Sequence, residues 1–206
     1  MRRWRAMSEA LLCIGLGVGA LGMPSTGRAD FAVGEPTNLG PLVNSANTDF
    51  THCISMDSLS LFFASNRPPG AFQDFDLWVT TRQTVNEEWG VPVHLGDNIN
   101  SRQNEWSPCL SSDGLSLYFG KGPWGNTDLC MVTRDSLDAP WGVPVSLGPV
   151  VNSPSWDAGP SISADGLELF FLSTRSGGYG GPDLYVTQRA TAADPWGPPE
   201  NLGPTI

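Results

Sequence analysis

The sequence predicts an all-β fold, a β-propeller of four-stranded antiparallel blades, and three observations carry that reading. The first is a repeat. Aligned on a Leu-Gly pair, a unit begins at Leu39, Leu95 and Leu147, and a fourth start stands at Leu202, giving spacings of 56, 52 and 55 residues. Each unit runs L-G-x-x-x-N-S, an acid, S-x-D-[GS]-L-x-L-[FY]-F, D-L, an arginine and W-G-x-P. A period near fifty containing several short strand signals belongs to a propeller or solenoid. The second observation is period-two alternation inside each unit. The third is composition: 24 glycines, 18 prolines and one lysine, Lys121, with no sustained helical periodicity.

The strands of a unit follow in order. Leu59, Leu61 and Phe63 alternate with Ser60 and Phe62, and Leu115, Leu117, Phe119 and Leu167, Leu169, Phe171 repeat the pattern. A shorter strand precedes each, around Ile54, Leu110 and Ile162. Asp113-Gly114 and Asp165-Gly166 join the two as two-residue hairpins, since both turn positions require positive φ. Ser58 replaces the glycine in the first unit, so that turn is expected to be strained or wider. A third strand carries Asp76-Leu77-Trp78-Val79, Asp128-Leu129-Cys130-Met131 and Asp183-Leu184-Tyr185-Val186. A fourth follows Trp89, Trp141 and Trp196, where the prolines suit a sheet edge. Four such strands make a propeller blade, which places the units at about residues 39–94, 95–146 and 147–202 within a repeat region of 30–206.

Residues 1–29 read as a signal peptide. Arg2, Arg3 and Arg5 form a basic start, Ala10 to Met23 is apolar, and Gly27-Arg28-Ala29 offers small residues for cleavage before Asp30. The run is too short and glycine-rich for a bilayer span. The expected product is exported, periplasmic or extracellular, with no integral membrane span after cleavage. Setting aside Arg2, Arg3, Arg5, Arg28 and Glu9 leaves seven basic and twenty acidic residues, a net charge of −13. Such a surface repels phosphate backbones and anionic headgroups, which excludes nucleic acid as a partner class and favours cationic ligands, divalent metals or neutral sugars.

The S-x-D-G-L-x-L-x-F, S-x-R and D-L-Y-V-T pattern resembles the WD40-like β-propeller repeat of bacterial envelope proteins, of the type found in the periplasmic Tol translocation protein. Ser163, Asp165, Gly166, Ser173, Arg175, Asp183, Leu184 and Tyr185 carry it in full, and the likeness covers about residues 39 to 205. The second unit departs, with Gly120-Lys121-Gly122 opposite Ser65-Asn66-Arg67 and Ser173-Thr174-Arg175. The resemblance implies a propeller used as a binding platform, or attached to a catalytic domain; it leaves activity open.

Three blades fall below the roughly 4–8 that close a ring. An orphan outer strand is expected at about residues 31–38, and open sheet edges invite pairing. Either the chain is a piece of a longer protein, the favoured reading because Pro204-Thr205-Ile206 starts a further unit, or two copies form a homodimer with six blades.

Two residue sets stand out as sites. Arg67 and Arg175 with Asp76, Asp128 and Asp183 recur at equal blade positions, as a buried clip between strands does. In the loop leading into each blade, Asn44, Asn100 and Asn152 each precede an acid by five residues: Asp49, Glu105 or Asp157. Beside those acids stand Phe50, Trp106 and Trp156. If these loops ring one mouth of the channel, their carboxylates could hold Ca2+ or a cationic partner and the aromatics a sugar face. The same residues also serve as turn formers. As solvent-facing carboxylates they would contribute little folding energy. Asp57, Asp113 and Asp165 read as turn formers, and Trp89, Trp141 and Trp196 as packing residues.

Signals for other chemistry are weak. His52 and His94 occupy unrelated positions, no Cys or His shows metal-ligand spacing, and no G-x-S-x-G elbow is present. Cys53, Cys109 and Cys130 are an odd number for an oxidising compartment and read as small buried hydrophobes. The reading is a non-catalytic module that needs no cofactor and binds a protein, peptide or glycan. The alternatives are a glycosidase-like propeller drawing on Asp49, Glu105 and Asp157, or a fragment of a larger envelope protein with a fused catalytic domain.

Overall fold

The structure, a computed structural model, describes residues 35–68 and 74–206. The expected signal peptide and the first half of the expected strand at 31–38 lie outside the described residues; residues 35–38 form no strand. Twelve strands make three four-stranded antiparallel sheets, each a contiguous blade. Blade 1 holds β1 (Asp49–Ile54), β2 (Ser60–Ser65), β3 (Asp76–Thr81) and β4 (Val93–His94). Blade 2 holds β5 (Glu105–Leu110), β6 (Ser116–Lys121), β7 (Asp128–Thr133) and β8 (Val145–Ser146). A single helical turn, α1 (Gly148–Val151), leads into blade 3, with β9 (Asp157–Ile162), β10 (Glu168–Ser173), β11 (Asp183–Gln188) and β12 (Glu200–Asn201). Among the described residues, no helix is long and apolar enough to cross a membrane.

The second strand of each blade is the hydrophobic anchor, as its alternation predicts. Leu61, Phe63, Leu117, Phe119, Leu169 and Phe171 are all buried, because each sheet face packs on a neighbouring sheet or on its own lead-in loop. Phe62, Ala64 and Leu77 of blade 1 share one core with Ile99, Trp106, Leu117, Phe119, Cys130 and Val132 of blade 2. Leu129 of blade 2 similarly meets Val151, Phe171 and Tyr185 of blade 3. The tryptophans after the third strands complete the outer packing: Trp89, Trp141 and Trp196 lie under the guanidinium groups of Arg82, Arg134 and Arg189 at 4.3, 4.5 and 4.3 Å.

The hairpins differ from the two-residue form expected. Ser55 N–H donates to Ser60 O and Ser58 N–H to Ser55 O, so the loop is longer and only its last tight position is left-handed. That position has φ of 73° at Gly114 and at Gly166, and 61° at Ser58. The preceding aspartate has another task. Asp57 Oδ1 accepts from Ser55 Oγ at 2.5 Å and from Leu59 N–H at 3.0 Å, and Asp113 and Asp165 repeat the arrangement. These bonds, led by the serine hydroxyl, hold all three carboxyls below the usual range. A second left-handed position recurs where the innermost strands bulge, at Thr51, Ser107 and Gly159, with φ of 40°, 52° and 63°.

A left-handed non-glycine residue costs on the order of 1 kcal/mol. Ser58→Gly is therefore expected to raise the melting temperature by about 2–4 °C, measured by circular dichroism. A lower melting temperature would show that the Ser58 side chain contributes more than its backbone strain removes.

Candidate functional site

The lead-in loops were the sequence's candidate for a ligand rim, and the structure gives their polar groups to the protein itself. Asn100 reaches back to blade 1, where its Oδ1 accepts from Leu77 N–H at 2.8 Å and its Nδ2 donates to Leu77 O at 3.0 Å. Asn152 treats Leu129 of blade 2 identically, at 2.8 and 2.9 Å. Each amide thus satisfies both backbone groups of one residue in the preceding third strand. Asn44 has no such partner strand among the described residues and donates only to Asn38 Oδ1, at 3.0 Å.

The acids turn inward as well. Asp49 receives Ser45 N–H and Ser45 Oγ on one oxygen, and Ser65 Oγ and Arg67 Nη2 on the other, the last at 2.5 Å. Asp157 is held the same way by Ser153 and by Arg175 Nη2 at 2.7 Å, with no side-chain exposure. Arg67 and Arg175 also donate to the carbonyls of Val43 and Val151 and lie over the rings of Phe63 and Phe171. The clip expected between these arginines and Asp76, Asp128 and Asp183 therefore forms with Asp49 and Asp157 instead. Asp76 stands 3.2 Å from His94 Nε2, Asp128 is exposed, and Asp183 accepts from Tyr179 N–H.

Blade 2 rewires this clip. Strand pairing sets Lys121 opposite Glu105, as Ser65 is opposite Asp49 and Ser173 opposite Asp157. One lysine thus replaces a serine and an arginine: its Nζ lies 3.0 Å from Glu105 and donates to Ile99 O. The longer glutamate fits the shifted cation. Burial pushes the Glu105 carboxyl above its usual range, against the pull of Ser101 and Lys121. For Asp49, burial is again the largest influence, but the bonds from Ser65, Arg67 and Ser45 together outweigh it and hold the carboxyl low. Among the described residues, no three His, Cys, Asp or Glu side chains gather as a metal would need. The three acids proposed for Ca2+ sit in three separate pairs.

What remains available to a ligand is aromatic. Freed of the arginine, the Gly122–Thr127 turn projects Trp124, 72% exposed, across blades 2 and 3. Its ring meets Trp106 edge-on at 5.0 Å and Trp156 at 5.7 Å, and Phe50 and Phe75 continue the cluster from blade 1. Gly120 makes room for it, since a Cβ there would lie 2.8 Å from Trp106 Cδ1. The indole N–H groups of Trp106 and Trp156 are buried without an acceptor among the described residues. The sequence singles out Trp106 and Trp156, and marks the stretch that leads to Trp124 only by the departure at Gly120-Lys121-Gly122. The signal was the missing S-x-R in blade 2. A cleft of about 560 Å³ lies at the hairpin end of blades 1 and 2, where the Arg134 donors are held by Gly114 O and Leu137 O.

The inward placement of the acids reverses their energetic role. Removing one partner of a buried, hydrogen-bonded pair costs about 3–5 kcal/mol, so Asp157→Asn is expected to lower the melting temperature by several degrees or more. Thermal unfolding followed by circular dichroism checks this; an unchanged curve would return Asp157 to the solvent rim.

The blade architecture is shared with solved propellers. TolB from Acinetobacter baumannii superposes with a TM-score of 0.53 at 15% identity, over 77% of this chain and 33% of that one. A TolB structure from Agrobacterium tumefaciens gives 0.52 at 18%, over 75% and 46% of the two chains. An α-L-arabinofuranosidase from Lactobacillus brevis gives 0.51 at 15%, over 79% and 55%. The chain spans between about a third and just over half the length of these proteins. No protein-family model matches the chain, and no curated protein matches it. The likeness establishes the fold: three blades of a β-propeller, not closed into a ring.

Proposed function

We propose that the chain is an exported, non-catalytic propeller of the WD40-like envelope type, binding its ligand on the aromatic face of blades 2 and 3. The observation that carries this reading is Trp124, a large indole held out in solvent by contact with Trp106 and Trp156. An exposed aromatic platform beside an acidic surface suits the apolar face of a neutral sugar better than an anion. A peptide with an apolar side chain is the second class the platform accommodates.

A glycan-cleaving enzyme needs two carboxylates free to act as acid and as base or nucleophile. The carboxylates the sequence offers for this, Asp49, Glu105 and Asp157, each hold a cation and a serine of the lead-in loop. That commitment supports binding over hydrolysis, although the arabinofuranosidase shows that similar blades occur in a glycosidase.

Because the Trp124 side chain is mostly in solvent, Trp124→Ala is expected to leave the unfolding free energy within about 1 kcal/mol of wild type. Binding to neutral oligosaccharides on a glycan array should fall at least tenfold. A peptide array run in parallel separates the two ligand classes. Equal binding of wild type and variant on both arrays would remove the aromatic face from consideration.

A further inference from the structure

The seam between blades 1 and 2 carries a pair of thiols that the binding reading does not use. Cys53 and Cys109 occupy the same place on the innermost strands β1 and β5, where blade 3 has Ser161. Both are free and half-buried, so each keeps some exposed surface. Leu110 N–H donates to Cys53 Sγ at 3.1 Å. That amide nitrogen is one residue bond beyond Cys109, which sets Cys53 Sγ within roughly 5–6 Å of the Cys109 Cα. Cys53 Sγ in turn donates to Ile54 O at 3.7 Å, and Cys109 Sγ accepts from Ile162 N–H at 3.4 Å. Cα separations in disulfides span about 4.4–6.8 Å. Cys53 Sγ lies against the backbone beside Cys109, and Cys109 stands at the same place on the innermost strand of the next blade, so small side-chain and backbone shifts bring the pair within that range.

From this geometry we infer that Cys53 and Cys109 form a reversible dithiol–disulfide pair that covalently joins blade 1 to blade 2. Cys53 is the attacking sulfur. The neighbouring Cys109 thiol and the Leu110 N–H stabilise its thiolate, pulling the thiol down to about 6. Cys109 is held protonated by the neighbouring Cys53 sulfur, with burial adding to it. The oxidant is a small disulfide. The Cys53 thiolate attacks one of its sulfurs, its S–S bond breaks, and one thiol leaves. Once Cys53 is a mixed disulfide it no longer holds the Cys109 proton. Cys109 then loses that proton and attacks Cys53 Sγ, and the second thiol leaves. Two protein S–H bonds are replaced by one S–S bond, and two electrons pass to the oxidant. Backbone donors that stabilise the Cys53 thiolate also stabilise the reduced form, so the bond is readily reduced again. Cys130, buried in the core between blades and pushed up to about 11 by that burial, stays outside the exchange.

This inference is independent of the aromatic site and is tested without any ligand. The full chain is incubated with glutathione disulfide and glutathione at graded ratios, quenched with acid and mapped by mass spectrometry without reduction. Cleavage at Arg28, Arg82, Arg102 and Lys121 puts the four cysteines on separate peptides. The expected product links the Cys53 and Cys109 peptides within one chain, leaves Cys130 alkylatable, and reverts with excess glutathione. Cys109→Ser is expected to stop at the glutathione adduct of Cys53. Wild-type chain that keeps both thiols free, stalls at that adduct, or links Cys53 to another copy overturns the inference.

Discussion

The structure depends on one repeated contact, an asparagine amide clasping both backbone groups of a single leucine in the preceding blade. Blades are separate hydrogen-bonded sheets, so nothing in their own ladders ties one to the next. The third strand of each blade turns the N–H and C=O of Leu77 or Leu129 toward the joint, where a buried backbone donor without a partner is costly. Asn100 and Asn152 supply a donor and an acceptor in the geometry of a strand while using one side chain. The lead-in loop that presents the amide also supplies Ile99 or Val151, both fully buried against the neighbour. Hydrogen bonding and apolar packing at the joint therefore arrive together on one turn.

The loop must hold its shape to deliver that amide, and the acid–cation clip provides the shape. The acid at the start of each innermost strand gathers the N–H and hydroxyl of the serine that follows the asparagine, and the cation ties the acid to the carbonyl just before it. Asn, Ser, acid and cation form one unit around a single turn. Blade 2 keeps the unit but moves its cation from the loop after the second strand onto that strand, as Lys121. With no arginine to anchor, the following turn is glycine-rich and free to carry Trp124. A structural substitution thus opens a face where an aromatic platform reaches solvent.

Much of this was legible in the chain. The repeat and the alternation of Leu61 with Phe63 determine the blades, their strand count and their packing residues, because period and burial are local properties of a strand. Less legible was the pairing of charges. Arg67 lies in sequence between Asp49 and Asp76, and its partner depends on which strand returns beside it, a matter of register that spacing does not report. The asparagines were visible as a recurring position, but their partners are backbone atoms in another blade and have no sequence signature. The hairpin aspartates misled for a related reason: their side chains bond the turn locally, so the left-handed residue is the one that follows them.

Amide hydrogen exchange at Leu77 in Asn100→Leu tests the central contact most directly, since leucine fills similar volume and offers no polar atom. Losing the acceptor removes about 1–3 kcal/mol of protection from that N–H. The account predicts exchange at Leu77 about tenfold faster or more, with Leu129, clasped by Asn152, unchanged. An unaltered rate at Leu77, or equal acceleration at both leucines, would contradict the asparagine as the element that joins one blade to the next.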